Sequence, residues 1–178
     1  MTMPLHERFA GRPADPERST LCLSRKEMDR RLDEHFDFEA RDDVEGVLAT
    51  LTPDAEHDIV GWPTGPTRGR EGARPFYVAL FADLSDGKVK NLRRLYGDNF
   101  LVDESYWAGI ARGRPFGLKG RNRPLGFRLL HVIEFAANGQ IKRENVWVDM
   151  AAILQQLPQD NPGPYPPEPA SLITGFEF

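Results

Sequence analysis

The feature that most limits the fold of this chain is a change of hydrophobic period near Asp86-Gly87. Before this point apolar residues recur at helical spacing, and after it they alternate or run in β-rich segments. Helices followed by consecutive strands favour an α+β fold, in which a curved antiparallel sheet carries helices on one side. We therefore predict the element order ααβαββββα.

Two helices are predicted near the start of the ordered chain. Ser24 and Glu27 have the spacing of a capping box, so a first helix is expected over about residues 25–40. Asp42 and Asp43 supply the N-cap of a short second helix. A short extended segment follows this helix.

The later elements are a third helix, four strands and a closing helix. The third helix covers the apolar residues from Phe76 to Leu84, and Pro75 fits it only in the first turn, because an interior proline removes a hydrogen bond. The strands are expected at about residues 88–96, 100–111, 125–135 and 140–148. Asn138-Gly139 predicts a hairpin between the last two strands, and Asp149 caps the closing helix.

Composition divides the 178 residues into three parts. Residues 1–24 are rich in Pro, Arg and Asp and are expected to form a flexible arm. Residues 158–178 form a Pro-rich tail, where the missing backbone donors exclude a helix or a central strand. Residues 25–157 are predicted to form one domain.

Charge and cysteine content exclude several classes of protein. The chain has 23 basic and 27 acidic residues, a net charge of −4, which argues against a nucleic-acid-binding protein. No run of 18 apolar residues or secretory signal is visible, so we expect neither a membrane span nor export. Cys22 is the single cysteine, so no internal disulfide or Cys-based zinc site is expected. A cytoplasmic protein is predicted.

Three segments carry a resemblance to a known family. They are ARDDVEGVLATLTPDAEHD, the GREG step that opens the third helix, and LLHVIEF-x-x-NG-x-I-x-x-x-x-x-W-x-D. Over roughly residues 25–157 the chain resembles the nuclear transport factor 2-like superfamily, and within it the SnoaL-like polyketide cyclases. The resemblance implies a cone-shaped α+β barrel with a deep pocket between the sheet and the helices, commonly without a cofactor. Its members include cyclases, isomerases, dehydratases, epoxide hydrolases, and non-enzymatic binders and dimerisation modules.

His131 is the first candidate for catalysis. In FRLLHVIEF, alternate residues share one face of a strand, and His131 is the only polar side chain on that face. Such a histidine is either a satisfied core residue or an acid/base group that faces a ligand. The resemblance implies a pocket histidine at this position.

Asp58 and His35 are the other catalytic candidates. The resemblance places Asp58 where isomerase-like members carry a general base, and His35 where they carry an oxyanion donor. Neighbouring residues on a strand point to opposite faces, so only one of His57 and Asp58 faces the pocket, and the spacing to Gly61 favours Asp58. For Asp58 and His35 a surface position is the alternative.

The last strand departs from the cyclase pattern. The cyclases carry an acid/base aspartate just before the Trp, but in RENVWVD this position is Val146, which cannot transfer a proton. Glu144 is expected on the same strand face and is a possible substitute, with a solvated glutamate as the alternative.

Further residues are expected to shape the pocket rather than react. Asp103 and Trp107 share one strand face, Glu104 and Tyr106 share the opposite one, and the sequence leaves open which face is concave. Trp62 lies in a loop that could cover the pocket mouth. The expected substrate-binding residues are His57, Trp62, Asp103, Trp107, Phe127, Leu129, Glu144 and Val146. The histidines show no local ligand spacing, so no metal site is predicted. The resemblance implies that no cofactor is needed.

These observations lead to one hypothesis and one alternative. The hypothesis is a cofactor-independent enzyme that isomerises, dehydrates or cyclises a hydrophobic, cyclic small molecule, with Asp58 as base and His131 and His35 at the oxyanion. The alternative is a non-catalytic small-molecule-binding or dimerisation module. A homodimer through the convex sheet face is also predicted, with no nucleic-acid or membrane partner.

Overall fold

A computed structural model describes residues 22–60 and 65–157 of the chain. The helices are α1 (Arg25–Glu39), α2 (Val44–Thr50), α3 (Gly69–Asp83) and α4 (Met150–Gln156). The strands are β1 (Leu51–Ile59), β2 (Thr67–Arg68), β3 (Leu84–Gly97), β4 (Phe100–Ala111), β5 (Arg123–Phe135) and β6 (Ile141–Val148). The predicted order is confirmed, with the two-residue β2 and a 3₁₀ turn at Pro115–Gly117 as additions.

The six strands form one open sheet in the order β2-β1-β6-β5-β4-β3. Every neighbouring pair is antiparallel except β1 and β6, which are parallel. The sheet is therefore mixed rather than wholly antiparallel, and it is not closed into a barrel. β1 and β6 come from opposite ends of the domain, so no tight turn forces them to run in opposite directions.

The predicted helix caps are confirmed. Ser24 Oγ accepts a hydrogen bond from the Glu27 amide at 3.2 Å, and Asp43 Oδ1 accepts one from the Gly46 amide at 2.9 Å. Asp149 Oδ1 accepts one from the Ala152 amide at 3.0 Å. Each bond satisfies an amide that has no partner within its own helix.

The third helix begins earlier than residue 76, so the placement of Pro75 in a first turn is wrong. Helix α3 starts at Gly69, and Pro75 lies in its interior. The Arg70 side chain donates to the Leu51 carbonyl from Nε at 3.0 Å and from Nη2 at 2.7 Å, and so ties the first turn of α3 to the start of β1. This tertiary contact helps to hold a helix that proline alone would shorten.

Two apolar clusters fill the concave side of the sheet. The first lies under α1, α2 and α3 and includes Leu32, Tyr77 and Ile133. The second lies under α4 at the other end of the strands and includes Phe127 and Ile153. On β5, His131 lies between Leu129 of the second cluster and Ile133 of the first.

In the described residues, none of the helices is both long enough and apolar enough to span a bilayer.

Candidate functional site

The concave face of the sheet presents its inward side chains in rows across the strands. His131 of β5 lies in register with Asp103 of β4 and with Val146 of β6. The next row toward α1 contains Ile133 and Glu144. The expected inward orientation of His131 is confirmed, because alternate residues of β5 from Leu125 to Phe135 turn to this face and most of them are buried.

His131 is buried, and its Nδ1 atom has no hydrogen-bond partner among the described residues. Nδ1 lies 3.8 Å from Asp103 Oδ1, beyond hydrogen-bond distance. The Phe36 ring packs against the imidazole, with 5.1 Å between ring centroids. Burial lowers the pKa of His131, although the charge of Glu144 opposes it, so the ring is neutral at pH 7.

Asp103 is fully buried, and its carboxylate is held from three sides. Arg94 Nε donates to Oδ2 at 2.8 Å, Asn91 Nδ2 donates to the same oxygen at 2.6 Å, and the Ser105 hydroxyl donates to Oδ1. Asp103 thus forms an ion pair with Arg94, and both of its oxygens accept hydrogen bonds. A compensated negative charge therefore lies beside the neutral imidazole of His131.

His35 lies at the centre of a second buried polar group, on α1. Its Nδ1 is 2.7 Å from Thr50 Oγ1, and the Thr50 hydroxyl itself donates to the Val47 carbonyl at 2.6 Å. Nδ1 must therefore carry the proton of the first bond. Nε2 lies 3.5 Å from Glu39 Oε1 and 3.5 Å from Glu144 Oε1.

The two charges of this group stabilise each other. Burial alone lowers the pKa of His35, but the charge of Glu144 and its hydrogen bond, followed by Glu39, raise it to about 10. Burial raises the pKa of Glu144, but the charge of His35 lowers it well below its usual range. The Tyr77 hydroxyl donates to Glu144 Oε2 at 2.8 Å. His35 is thus a buried imidazolium, and the alternative prediction of a surface position for His35 is wrong.

Asp58 does not face the concave side, so the expectation that it rather than His57 points inward is wrong. Strand β1 pairs with β6 so that His57 is in register with Glu144 and Asp58 with Asn145. Asp58 lies on the outer face, where its Oδ2 accepts a hydrogen bond from Asn145 Nδ2 at 3.2 Å. His57 is buried inside, and its Nε2 has no hydrogen-bond partner among the described residues.

Apolar side chains follow His131 along the same face toward α4. Trp107 and Phe127 stack with 5.2 Å between ring centroids, and Leu129 lies between them and His131. Leu80 of α3 and Phe116 of the 3₁₀ turn pack against the same cluster and are only partly buried. The expected inward positions of Phe127 and Leu129 are confirmed. The sequence left open which face of β4 is concave, and the stacking of Trp107 on Phe127 shows that it is the face of Trp107. Trp62 lies outside the described residues.

In place of the deep pocket that the resemblance implies, the described residues of α3 and the 3₁₀ turn enclose a small cavity. Its volume is about 20 Å³, which is room for roughly one water molecule. It lies between Phe76, Leu80 and Asp83 of α3 and Pro115 and Phe116 of the turn. A ligand with several rings therefore requires these partly buried side chains to move apart.

Three residues that contact His35 or Asp103 are absent from the sequence-based predictions. Tyr77 fits the apolar stripe of α3, so its hydroxyl gave no separate indication of a polar role. Glu39 lies one helical turn after His35, a spacing that places both on one helix face. Arg94 lies on β3 and contacts Asp29 and Asp33 of α1 as well as Asp103, which no local pattern indicates.

Comparison with known proteins relates the chain to a group of cyclases. A family model described as SnoaL-like polyketide cyclase matches residues 26–157. A comparison with curated proteins found no match.

Solved structures share the fold at low sequence identity. A protein described as a SnoaL-like polyketide cyclase from Jannaschia sp. CCS1 is 15% identical, with a TM-score of 0.66, over 83% of this chain and 97% of that one. An epoxide hydrolase from M. tuberculosis is 19% identical, with a TM-score of 0.58, over 74% and 90%. SalBIII, an epoxide hydrolase/cyclase-like enzyme of pyran ring formation in salinomycin, is 14% identical, with a TM-score of 0.60, over 71% and 94%.

Proposed function

Because the chain belongs to the SnoaL-like polyketide cyclase family, we propose that it is an enzyme that moves a proton on a hydrophobic, cyclic small molecule. The reaction is of the isomerase, dehydratase or cyclase type and needs no organic cofactor. One observation carries the proposal: the buried, neutral His131 has an unpartnered nitrogen beside the compensated carboxylate of Asp103. A core histidine with only a packing role is normally hydrogen-bonded.

In this proposal His131 is the general base. A neutral imidazole can remove a proton from a carbon next to a carbonyl group, and it becomes an imidazolium as it does so. Asp103, 3.8 Å from Nδ1, stabilises that positive charge without itself taking the proton. Val146 lies on the other side of His131 in the same row. The cyclases carry an aspartate at the position of Val146 on the last strand. In this chain a carboxylate beside His131 comes instead from Asp103 on β4.

The substrate class follows from the surroundings of His131. The stacked rings of Trp107 and Phe127, together with Leu129, offer an apolar and partly aromatic surface along the same face. Such a surface favours a flat or cyclic ligand. His57, whose Nε2 is also unpartnered, is proposed as a second polar contact for a substrate oxygen.

The test is turnover of ketone and polyketide-like substrates in deuterated water, followed by mass spectrometry of the recovered compound. Wild-type protein should introduce deuterium next to a carbonyl group, and His131→Gln should slow this exchange by about 100-fold or more. Glu134→Gln is the matched control, because Glu134 lies on the same strand but turns to the outer face, where it pairs with Lys142.

Two outcomes would count against an enzyme. Exchange that is equally fast in His131→Gln would remove His131 from the mechanism. A substrate analogue that binds to the wild-type protein and undergoes no exchange or turnover would favour the non-catalytic binding module. Circular dichroism of each variant shows whether it is folded, so a loss of exchange can be assigned to the site.

A cytoplasmic location and a homodimer through the convex face are part of the same proposal. The convex face exposes large apolar side chains, among them Leu95, Leu130 and Trp147. Exposed apolar patches of this kind mark contact surfaces in many proteins.

A further inference from the structure

We propose that His35, Glu39 and Glu144 form a binding site for one divalent first-row transition-metal ion. This inference does not rest on the proposed proton-transfer reaction, and it departs from the expectation of no metal site. Each of the three residues offers one donor atom, and these atoms lie within 4.8 Å of one another. His35 and Glu144 are buried, and Glu39 is partly buried.

The orientation of His35 directs Nε2 toward the two carboxylates. The Thr50 hydroxyl donates to the Val47 carbonyl, so its oxygen accepts the Nδ1 proton of His35 at 2.7 Å. A metal-binding histidine is commonly fixed in this way, with its other nitrogen bonded to an outer acceptor. Nε2 is then the nitrogen available to a cation.

The distances around Nε2 are long for hydrogen bonds and close to those between the ligands of one metal ion. Glu39 Oε1, Glu144 Oε1 and the Tyr77 hydroxyl each lie 3.5 Å from Nε2. An N–H···O bond is usually about 2.7–3.2 Å long. Metal–ligand bonds of about 2.1 Å in a tetrahedral site place neighbouring ligand atoms roughly 3.4 Å apart. The two carboxylate oxygens therefore lie from Nε2 at about the spacing expected of ligands that share one ion.

The ligand chemistry narrows the kind of ion. The ion would displace the Nε2 proton of the imidazolium, since a metal-binding histidine must be deprotonated at the ligating nitrogen. The neutral imidazole and two carboxylates that remain carry a net charge of −2, which matches a divalent cation. An imidazole nitrogen favours zinc, iron or cobalt over calcium and magnesium, which prefer oxygen ligands. The absence of a cysteine or methionine sulfur among the three ligands argues against a soft ion such as Cu(I).

The site can be reached from the surface, and a bound ion would connect two distant elements of the fold. The Glu39 side chain is 23% exposed, so one ligand reaches the surface while the other two lie inside. His35 and Glu39 belong to α1 and Glu144 belongs to β6. A bound ion would therefore join the first helix to the last strand, and it should raise the stability of the folded protein.

The test uses full-length protein freed of metal with a chelator and then titrated with CoCl₂ or ZnCl₂. We expect one equivalent of Co²⁺ to produce visible absorption bands of a four- or five-coordinate ion, and Zn²⁺ to raise the melting temperature. X-ray absorption of the zinc form should show one imidazole nitrogen and two or three oxygens at about 2.0–2.2 Å.

Variants assign the signal to this site. Glu39→Gln and Glu144→Gln should each weaken Co²⁺ binding by about 10-fold or more, the loss seen when a metal site is disturbed. Glu34→Gln is the control, because Glu34 lies on the same helix, is exposed, and pairs with Arg30. If Glu144→Gln does not fold, the Co²⁺ affinity of Glu39→Gln alone tests the site. This variant is expected to fold because Glu39 is partly exposed.

Either of two results would overturn the proposal. One is folded, metal-free wild-type protein that binds no Co²⁺ or Zn²⁺ at millimolar concentration, which would mean that His35 Nε2 holds only a proton. The other is binding that stays unchanged in Glu39→Gln, which would place the metal elsewhere on the chain. All measurements are made without substrate, so a failure here leaves the proposed proton transfer untouched.

Discussion

Three histidines share the interior of this protein, but their partners give them different charges. His35 lies between two carboxylates, which keep it protonated although burial opposes the charge. His57 and His131 each have an unpartnered nitrogen, and burial lowers the pKa of both. A protonated imidazole therefore anchors the polar group, while a neutral one remains free to accept a proton from a ligand.

Replacing His131 with phenylalanine should leave the protein equally stable or more stable at pH 7. Nδ1 of His131 has no partner that the substitution would strand, and functional groups often lower stability. Urea unfolding of wild type and His131→Phe measures the difference. A loss of several kcal/mol would contradict a catalytic role, because it would show that the imidazole stabilises the core.

The same pair of proteins gives a prediction of pH dependence. The pKa of His131 in the folded protein is below the ordinary value of 6.5. At pH values between the folded pKa and 6.5, the unfolded chain therefore binds more protons than the folded protein does. The stability of the wild-type protein falls as the pH drops through this window. Between pH 7 and pH 5, wild type should lose more stability than His131→Phe. Equal losses in the two proteins would contradict the lowered pKa.

At the scale of elements, helix α3 and strand β1 show how neighbours decide local structure. The side chain of Arg70 binds the Leu51 carbonyl at the start of β1, and α3 continues through Pro75. The parallel pairing of β1 with β6 turns His57 inward and Asp58 outward. The start of α3 and the facing of His57 and Asp58 thus both involve contacts between segments that are distant in the sequence.

Replacing Pro75 with alanine should stabilise the protein by about 1 kcal/mol. Pro75 is exposed inside α3, and alanine restores an amide that can donate to the Glu71 carbonyl. The gain is smaller than the full cost of an interior proline, because proline also restricts the unfolded chain. Chemical denaturation measures the change, with Val78→Ala on the same helix as control. A destabilised Pro75→Ala would show that the helix is adapted to the proline.

At the scale of the whole molecule, the two faces of the sheet serve different purposes. The concave face packs against all of the longer helices and contains the buried polar groups. The convex face presents charged side chains such as Glu104 and Arg128 around exposed apolar ones. Covering those apolar side chains with a second copy of the chain is the simplest way to remove them from water.

The wild-type protein should therefore sediment as a dimer at tens of micromolar, and Leu130→Glu should shift it to a monomer. Leu130 is 38% exposed and lies in register with Trp147 on the convex face, so a charge there would have to be buried in the interface. Val78→Glu, on the outer side of α3, is the control and should remain dimeric. A wild-type monomer in sedimentation equilibrium would contradict the convex-face dimer.

The sequence alone determined the features that depend on neighbouring residues. Helix caps at Ser24, Asp43 and Asp149 follow from hydrogen bonds within one turn, and the inward position of His131 follows from alternation along one strand. The order of helices and strands follows from the same short-range periods. These features are encoded within a few residues, so they are readable without the fold.

Only the tertiary structure decided which side chains meet. His35 and Glu39 are one turn apart, but Glu144 reaches them from the last strand, and Arg94 reaches Asp103 from the next strand of the sheet. The choice between His57 and Asp58 depended on the register of β1 against β6. Pairing between strands far apart in the chain sets such contacts, and a one-residue shift in register reverses every side chain of a strand.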